Sequence, residues 1–166
     1  MNELKYIPGD LVMTNGVPLG TSKNVVYRVA ASDPSKTLEL DDGTTLKGAV
    51  RLENYEAKEI GDKGYLLGDC GAWIKDIVPI NLVPAILEKN GWKRNGGQYS
   101  FIFKSYTGYK VEYTGFFIEM FKNVHDMLKY KYFQIFLENK NIYGCFYVHQ
   151  LQHHLFGLGI NHKMEV

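Results

Sequence analysis

Aromatic residues are concentrated in one stretch of this sequence, and that stretch limits the fold more than any other feature. Of the 23 Phe, Trp and Tyr residues, 16 lie within residues 99–147. Aromatic rings are large apolar groups that have to be covered. The runs 99–103 and 109–113 alternate apolar and polar residues, as strands with one buried face do. The sequence therefore predicts an antiparallel β-sheet in its second half.

Two helices are predicted to frame this sheet. Residues 84–90 begin with a proline, which suits the first helical turn, and end at Asn90-Gly91, which suits a left-handed C-cap. Residues 147–158 carry one apolar stripe at helical spacing, formed by Val148, Leu151, Leu155 and Leu158. The strands predicted between the helices are residues 99–104, 109–113, 116–120 and 129–137. Residues 79–166 are therefore predicted to form an α+β domain, with a helix, an antiparallel β-meander and a closing C-terminal helix.

Residues 1–60 are predicted to form an SH3-like small β-barrel. Several short β-rich segments are separated by turn residues, among them a break at residues 32–35 and the pair Asp42-Gly43. That pair suits a type I′ hairpin because both positions tolerate positive φ. Residues 61–78 contain four glycines whose spacing matches no phosphate-binding pattern, so this segment is predicted to be a connector between the two domains.

The charge of the chain is nearly balanced but unevenly distributed. Its net charge of +1 excludes a strong attraction of the whole chain for nucleic acid or acidic membranes. Residues 1–76 carry nine Lys/Arg and twelve Asp/Glu, a net −3, whereas residues 77–166 carry ten and six, a net +4. The second half is therefore the better candidate for an anionic partner, although a difference of this size also arises by chance.

The cysteine content and the absence of long apolar runs favour a cytoplasmic protein. Cys70 and Cys145 are far apart in sequence, and neither belongs to a metal-binding or redox motif. The first six residues lack the apolar core of a signal peptide, and no apolar run reaches membrane-spanning length. Reduced, structural thiols are expected.

Three short motifs occur together in one order along the chain. They are Asn2-Glu3-Leu4 with Gly9-Asp10-Leu11-Val12, residues 86–92 (ILEKNGW) and residues 148–152 (VHQLQ). In this combination the chain resembles a family of short proteins carried by phages and other mobile elements of gut Bacteroidota. VHQLQ is the most specific of the three. The match breaks after Gln152, because residues 153–155 are His-His-Leu where the family has Asn-Leu-Tyr. The resemblance implies a phage-type accessory protein in the host bacterial cytoplasm, and it assigns no catalytic residue.

The best candidate binding surface combines rings with cations. Aromatic rings stack on bases, and Lys and Arg pair with phosphates. The residues predicted to line this ligand-binding surface are Trp92, Lys93, Arg94, Lys104, Tyr106, Tyr109 and Lys110. Exposed lysines on strand edges also prevent aggregation, which is the structural alternative. His149 and Gln152 either contact the same ligand or serve as buried hydrogen-bonding groups.

Metal and catalytic sites are less well supported. Cys145, His149 and His153 have the i, i+4, i+8 spacing of one helical face, which can bind zinc. The strand-like residues 142–143 suggest that the helix begins after the cysteine, so no metal site is predicted. His125-Asp126 resembles an acid–base pair, but adjacent residues on a strand point to opposite faces. No cofactor is predicted.

These observations predict a non-catalytic binding protein of a phage or mobile element. Its task would be anti-defence, by sequestering a nucleotide signal or a host defence protein. The alternative is a DNA- or RNA-binding module in phage replication or regulation, and a nucleotide hydrolase is a weaker alternative. The run 132–137 is apolar on both faces, which is consistent with a homo-oligomer or with close packing between the two halves.

Overall fold

The computed structural model describes residues 5–95, 98–107, 110–122, 131–137, 140–157, 159 and 161–166. Its side chains are described for residues 5–93, 146–157, 159 and 161–166. The protein is α+β, and its chain divides into two compact units between Ile80 and Asn81. No helix in the described part of the chain is long and apolar enough to cross a membrane.

The first unit contains one antiparallel sheet. Its strands are β1 (Leu11–Thr14), β2 (Tyr27–Glu39), β3 (Thr45–Asn54), β4 (Cys70–Trp73) and β5 (Ile77–Pro79), and a 3₁₀ turn at Ile74–Asp76 joins the last two. The strand order is β4-β3-β2-β1-β5. Within the described residues β4 and β5 are the two edges and do not pair with each other. The sheet is therefore not closed, and the predicted SH3-like barrel is not confirmed.

The boundaries of this sheet differ from those predicted. β4 and the first two residues of β5 lie within residues 61–78, the segment predicted to be a connector, so this segment contributes strands to the first sheet. Residues 32–35, predicted to be a turn, lie inside β2. The pairing of β2 with β3 shifts register between Asp33 and Thr37 and again between Val29 and Ala31. Bulges absorb the extra residues and bend the strand without ending it.

The β2–β3 hairpin is where Asp42-Gly43 predicted it, but its loop is of a different type. Among the described non-glycine residues only Asn24 has positive φ, so Asp42 does not adopt a type I′ conformation. The amide of Gly43 donates to the carbonyl of Leu40, and the amide of Leu40 donates to Thr44. With Gly43 at φ +83°, this is a three-residue loop with a left-handed glycine.

The core of the first unit is built around a buried tyrosine. The buried apolar cluster that contains Tyr27 includes residues from all five strands, among them Val12, Leu52 and Ile77. Its hydroxyl accepts a hydrogen bond from the amide of Ser22 and donates one to the carbonyl of Gly64. The hydroxyl therefore connects the loop between β1 and β2 to the loop between β3 and β4, and burial raises the pKa of Tyr27.

The second unit contains the predicted antiparallel sheet. Its strands are β6 (Lys93–Asn95), β7 (Gln98–Thr107), β8 (Lys110–Lys122), β9 (Lys131–Leu137) and β10 (Lys140–Cys145). They are ordered β10-β9-β8-β7-β6, so each strand pairs with its neighbours in sequence, which is the predicted meander. β8 is continuous where the sequence predicted two strands.

Both predicted helices are present. α1 spans Pro84–Lys89 and places its proline in the first turn. α2 spans Val148–Gly157, and three residues of the predicted stripe, Val148, Leu151 and Leu155, are buried. The fourth, Leu158, lies outside the described residues, as does the pair His125-Asp126.

Candidate functional site

A groove of about 410 Å³ lies on the part of the first sheet formed by β2, β3 and β4. This volume is within the range typical of sites for small ligands. The residues that line it are Ala31, Ser32, Asp33, Lys36, Ala49, Val50, Arg51, Asp69, Gly71, Ala72 and Trp73. All of them belong to the first unit, so its fold alone positions the groove.

Strand register explains why small residues form the floor of the groove. Ala31, Arg51 and Gly71 are cross-strand neighbours, and so are Asp33, Ala49 and Trp73. Cross-strand neighbours share one face of a sheet, and rows two residues apart share the same face. The row between them includes Val50 and Ala72, which are buried in the core. The outer face therefore has small residues at Ala31, Ala49 and Gly71, with larger side chains around them.

Trp73 and Lys36 form one wall of the groove. The Lys36 ammonium lies 5.9 Å from the centroid of the Trp73 indole, within the range of a cation–π interaction. Trp73 is half-buried and Lys36 is exposed. Trp73 therefore presents an aromatic surface to the groove.

Arg51 and Asp69 form the opposite wall. The Arg51 Nε and an Asp69 carboxylate oxygen are 3.1 Å apart, and 58% and 45% of the two side chains are exposed. Exposed ion pairs of this kind contribute about 0–1 kcal/mol to stability. Their weak mutual stabilisation leaves both groups free to exchange partners with a ligand.

Asp33 organises the bulge from which Lys36 extends. Its Oδ1 accepts hydrogen bonds from the Ser35 hydroxyl and from the amides of Ser35 and Lys36. These bonds lower the pKa of Asp33, and the bond from the Ser35 hydroxyl has the largest effect. The groove therefore carries two carboxylates, Asp33 and Asp69, and two cations, Lys36 and Arg51.

The structure does not bring the sequence-predicted surface together. Trp92 is buried, and Lys93 is exposed next to it. Arg94 pairs with Tyr99 at the start of β7, whereas Lys104 lies five residues further along that strand. At about 3.4 Å per residue this is roughly 17 Å.

The remaining predicted residues lie at the far end of the same hairpin. Tyr106 pairs with Val111, and Lys110 pairs with Thr107. Tyr109 lies outside the described residues. The backbone thus places Arg94 at one end of β7 and Lys104, Tyr106 and Lys110 toward the other, so these positions do not form one cluster.

His149 and Gln152 are buried in α2, and the VHQLQ motif has a structural role around them. Val148 and Leu151 are fully buried. The Gln150 Oε1 accepts from the amides of Phe146 and Tyr147, which caps the start of α2. The Gln152 Nε2 donates to the carbonyl of His162, 3.1 Å away. The structural alternative for Gln152 is the one that these contacts support.

The C-terminal segment is held by both motifs of the second unit. The side-chain amide of Asn90, from ILEKNGW, donates to the carbonyl of Glu165 and accepts from the amide of Glu165. Met164 is buried, and in the sequence it lies between Glu165 and His162, whose carbonyl accepts from Gln152. Residues 161–166 are therefore fixed by Asn90 at one end and by Gln152 at the other.

The metal geometry considered for Cys145, His149 and His153 does not form on one helix. Cys145 ends β10, and α2 begins three residues later at Val148. The His149 and His153 rings are 5.7 Å apart and edge-on. Among the side chains that the structure describes, no group of three or more metal-ligating residues occurs. Burial lowers the pKa of His154, and the charge of the neighbouring His153 lowers it further.

Comparison with known proteins adds no family to this description. No family model, curated protein or solved structure matches the chain. The geometry of the groove is therefore the observation from which a function has to be inferred.

Sequence reasoning missed the groove because its residues come from three separate segments. The alternation in Cys70-Gly71-Ala72-Trp73 could have identified β4, and Trp73 is the one tryptophan outside the aromatic-rich half. The small residues Ala31 and Ala49 give no signal by themselves. The place of Ala31 in one row with Arg51 and Gly71 depends on the bulge between Val29 and Ala31, which no sequence pattern marked.

Proposed function

We propose that this protein is a non-catalytic binding protein, of the accessory type that phages and mobile elements carry, and that the groove on its first unit holds the ligand. The observation that supports this proposal is the combination of a half-buried tryptophan, a floor of small residues and two pairs of opposite charges in a groove of about 410 Å³. A rigid ring and a few placed polar groups are the usual elements of a recognition site.

The titratable groups near the groove are suited to binding. The lowered pKa of Asp33 keeps its carboxylate ionised, which favours ion pairing over proton donation. The Cys70 thiol is buried on the inner face and donates to the carbonyl of Leu19, and burial raises its pKa. A thiol in this state is a poor nucleophile. These properties favour a binding protein over the weaker alternative of a nucleotide hydrolase.

The first unit is proposed to be an open variant of an SH3-like barrel. Its five antiparallel strands and the 3₁₀ turn before the last strand support this assignment, as do the two bulges that bend β2. Bulges commonly introduce the bends by which a small sheet curls toward closure. Such modules serve many functions, so the fold by itself does not specify the ligand.

Anti-defence activity in the host bacterial cytoplasm remains the proposed biological role. Capture of a nucleotide signal and capture of a defence protein differ in the charge that the groove must accept. Residues 1–80 carry nine Lys/Arg and twelve Asp/Glu, a net −3. A negatively charged unit repels anionic ligands at long range, which favours a protein as the captured partner.

Replacing Trp73 with leucine is expected to reduce ligand binding about tenfold while the protein stays folded. The indole supplies the largest apolar surface of the groove, and truncation of a central aromatic residue typically costs 1–2 kcal/mol or more of binding energy. The measurement is a ligand screen by thermal shift, followed by calorimetry with each hit. Trp92→Phe is the control, because Trp92 is buried and does not line the groove. Hits that bind the Trp73→Leu variant with unchanged affinity would contradict the proposal.

The second candidate function is DNA or RNA binding, and the charge of the second unit favours it. Residues 81–166 carry ten Lys/Arg and six Asp/Glu, a net +4. Polynucleotide binding through this unit would weaken steeply with salt because counterions are released from the phosphates. A gel shift at 50 mM and 200 mM salt tests it. No shift at the lower concentration would rule this candidate out.

A further inference from the structure

We infer that the groove recognises a cationic side chain, an arginine or lysine within an extended segment of a partner protein. This inference rests on the proposed binding function and specifies its ligand. It follows from what the Trp73 ring already contacts, from the position of the carboxylates, from the charge of the unit and from the open edge of β4.

The Trp73 ring already interacts with a cation. The Lys36 ammonium lies 5.9 Å from the ring centroid, so the ring is accessible to a positively charged group in the geometry that cation–π attraction requires. Lys36 is exposed, and an exposed contact of this type shifts an equilibrium by only about two- to fivefold. A ligand cation can therefore replace Lys36 over the ring, and Lys36 acts as an intramolecular competitor.

Carboxylates are available to pair with the incoming cation. Asp33 and Trp73 lie in one cross-strand row with only Ala49 between them. The Asp33 Oδ1 already accepts three hydrogen bonds, and the residue is exposed. Asp69 is half exposed in its ion pair with Arg51. Both carboxylates line the same groove as the Trp73 ring, so a cation bound there has acidic partners beside it.

The edge of the sheet suits an extended segment. β4 pairs with β3 on one side, and within the described residues its other side has no strand partner. Gly71 lies at this edge without a side chain, so another backbone can approach closely. An extended peptide binds such an edge by main-chain hydrogen bonds while a side chain enters an adjacent pocket. Here the adjacent pocket is the groove.

The test compares ligands of opposite charge on the same variants of the full chain. The probes are an uncharged nine-residue Gly/Ser peptide with one central arginine, the same peptide with glutamine in its place, and adenosine monophosphate. Isothermal calorimetry measures each affinity for the native protein and for Lys36→Met, Trp73→Leu and Lys63→Met. Lys63 is an exposed lysine that does not line the groove, so its variant controls for the change in net charge.

The direction in which Lys36→Met changes the affinity is expected to depend on the charge of the ligand. The arginine peptide binds with a dissociation constant of about 0.1 mM, roughly tenfold more tightly than the glutamine peptide. Lys36→Met strengthens this binding about threefold because the competing ammonium is gone, Trp73→Leu weakens it about tenfold, and Lys63→Met leaves it unchanged.

The results that would overturn the inference differ in what they say about the proposed function. If adenosine monophosphate binds more tightly than the arginine peptide and Lys36→Met weakens it, the groove is a binding site for an anion and only the cationic ligand is wrong. If the arginine peptide fails to bind, or if Lys36→Met and Lys63→Met change its affinity equally, the inference fails. If no probe binds and the ligand screen yields no hit, the proposed function fails as well.

Discussion

Replacing Gly64 with alanine is expected to lower the free energy of unfolding by about 3 kcal/mol, the largest effect of any substitution considered for the first unit. Gly64 has φ +74°, a conformation that side chains with a Cβ rarely adopt. An added Cβ would overlap the hydroxyl oxygen of Tyr27 and would lie 3.2 Å from the Cβ of Ser22. The hydroxyl is buried and hydrogen-bonded to both loops, so it cannot move without losing those bonds.

Urea unfolding followed by circular dichroism measures this effect, and Gly43→Ala is its matched control. Gly43 has φ +83°, but an added Cβ there would meet no atom within 4 Å. The control therefore isolates the backbone strain, about 1 kcal/mol. Equal destabilisation by the two substitutions would show that the contact with Tyr27 contributes nothing, and the account of Tyr27 as the anchor of the two loops would be wrong.

Replacing Gln152 with leucine is expected to lower the free energy of unfolding by about 2 kcal/mol without changing ligand affinity. The Gln152 side chain is fully buried and donates to the carbonyl of His162. Leucine keeps the apolar volume but removes the donor, so the C-terminal segment loses one of its attachments. The measurement combines urea unfolding with calorimetry, using any ligand found for the groove.

Gln150→Ala is the control for this second prediction, because it removes a glutamine from the same turn of α2. The Gln150 side chain caps the helix start, and losing such a cap costs about 1 kcal/mol. A Gln152→Leu variant that unfolds like the native protein but no longer binds ligand would contradict the structural role. It would restore Gln152 to the list of ligand-binding residues that the sequence predicted.

Elements whose signals are local were predictable from the sequence. α1 begins at Pro84 and has Asn90 as its C-cap, as expected, because a missing N–H and a tolerated cap conformation act within one turn. The meander of the second unit also followed from alternation within short segments. Features that depend on pairing between segments were not predictable. The bulges turned a predicted break at residues 32–35 into one continuous strand.

The site was less predictable than the fold for the same reason. A cluster of Trp92, Arg94 and Lys104 looked plausible in sequence, but the register of β6, β7 and β8 spreads these positions along the hairpin, and Trp92 is buried. Conversely, Ala31, Ala49 and Gly71 carry no chemical signal, although together they make the floor of the groove. The groove forms where small residues become cross-strand neighbours, and the strand register decides which residues those are.

Ligand recognition is proposed to belong to the groove on the first unit. Chemical-shift mapping with ¹⁵N-labelled protein and the arginine peptide is the decisive experiment. The largest changes are expected at the amides of Ala49 and Gly71 and at the indole N–H of Trp73. Changes confined to residues 92–110, with the groove resonances unmoved, would contradict it.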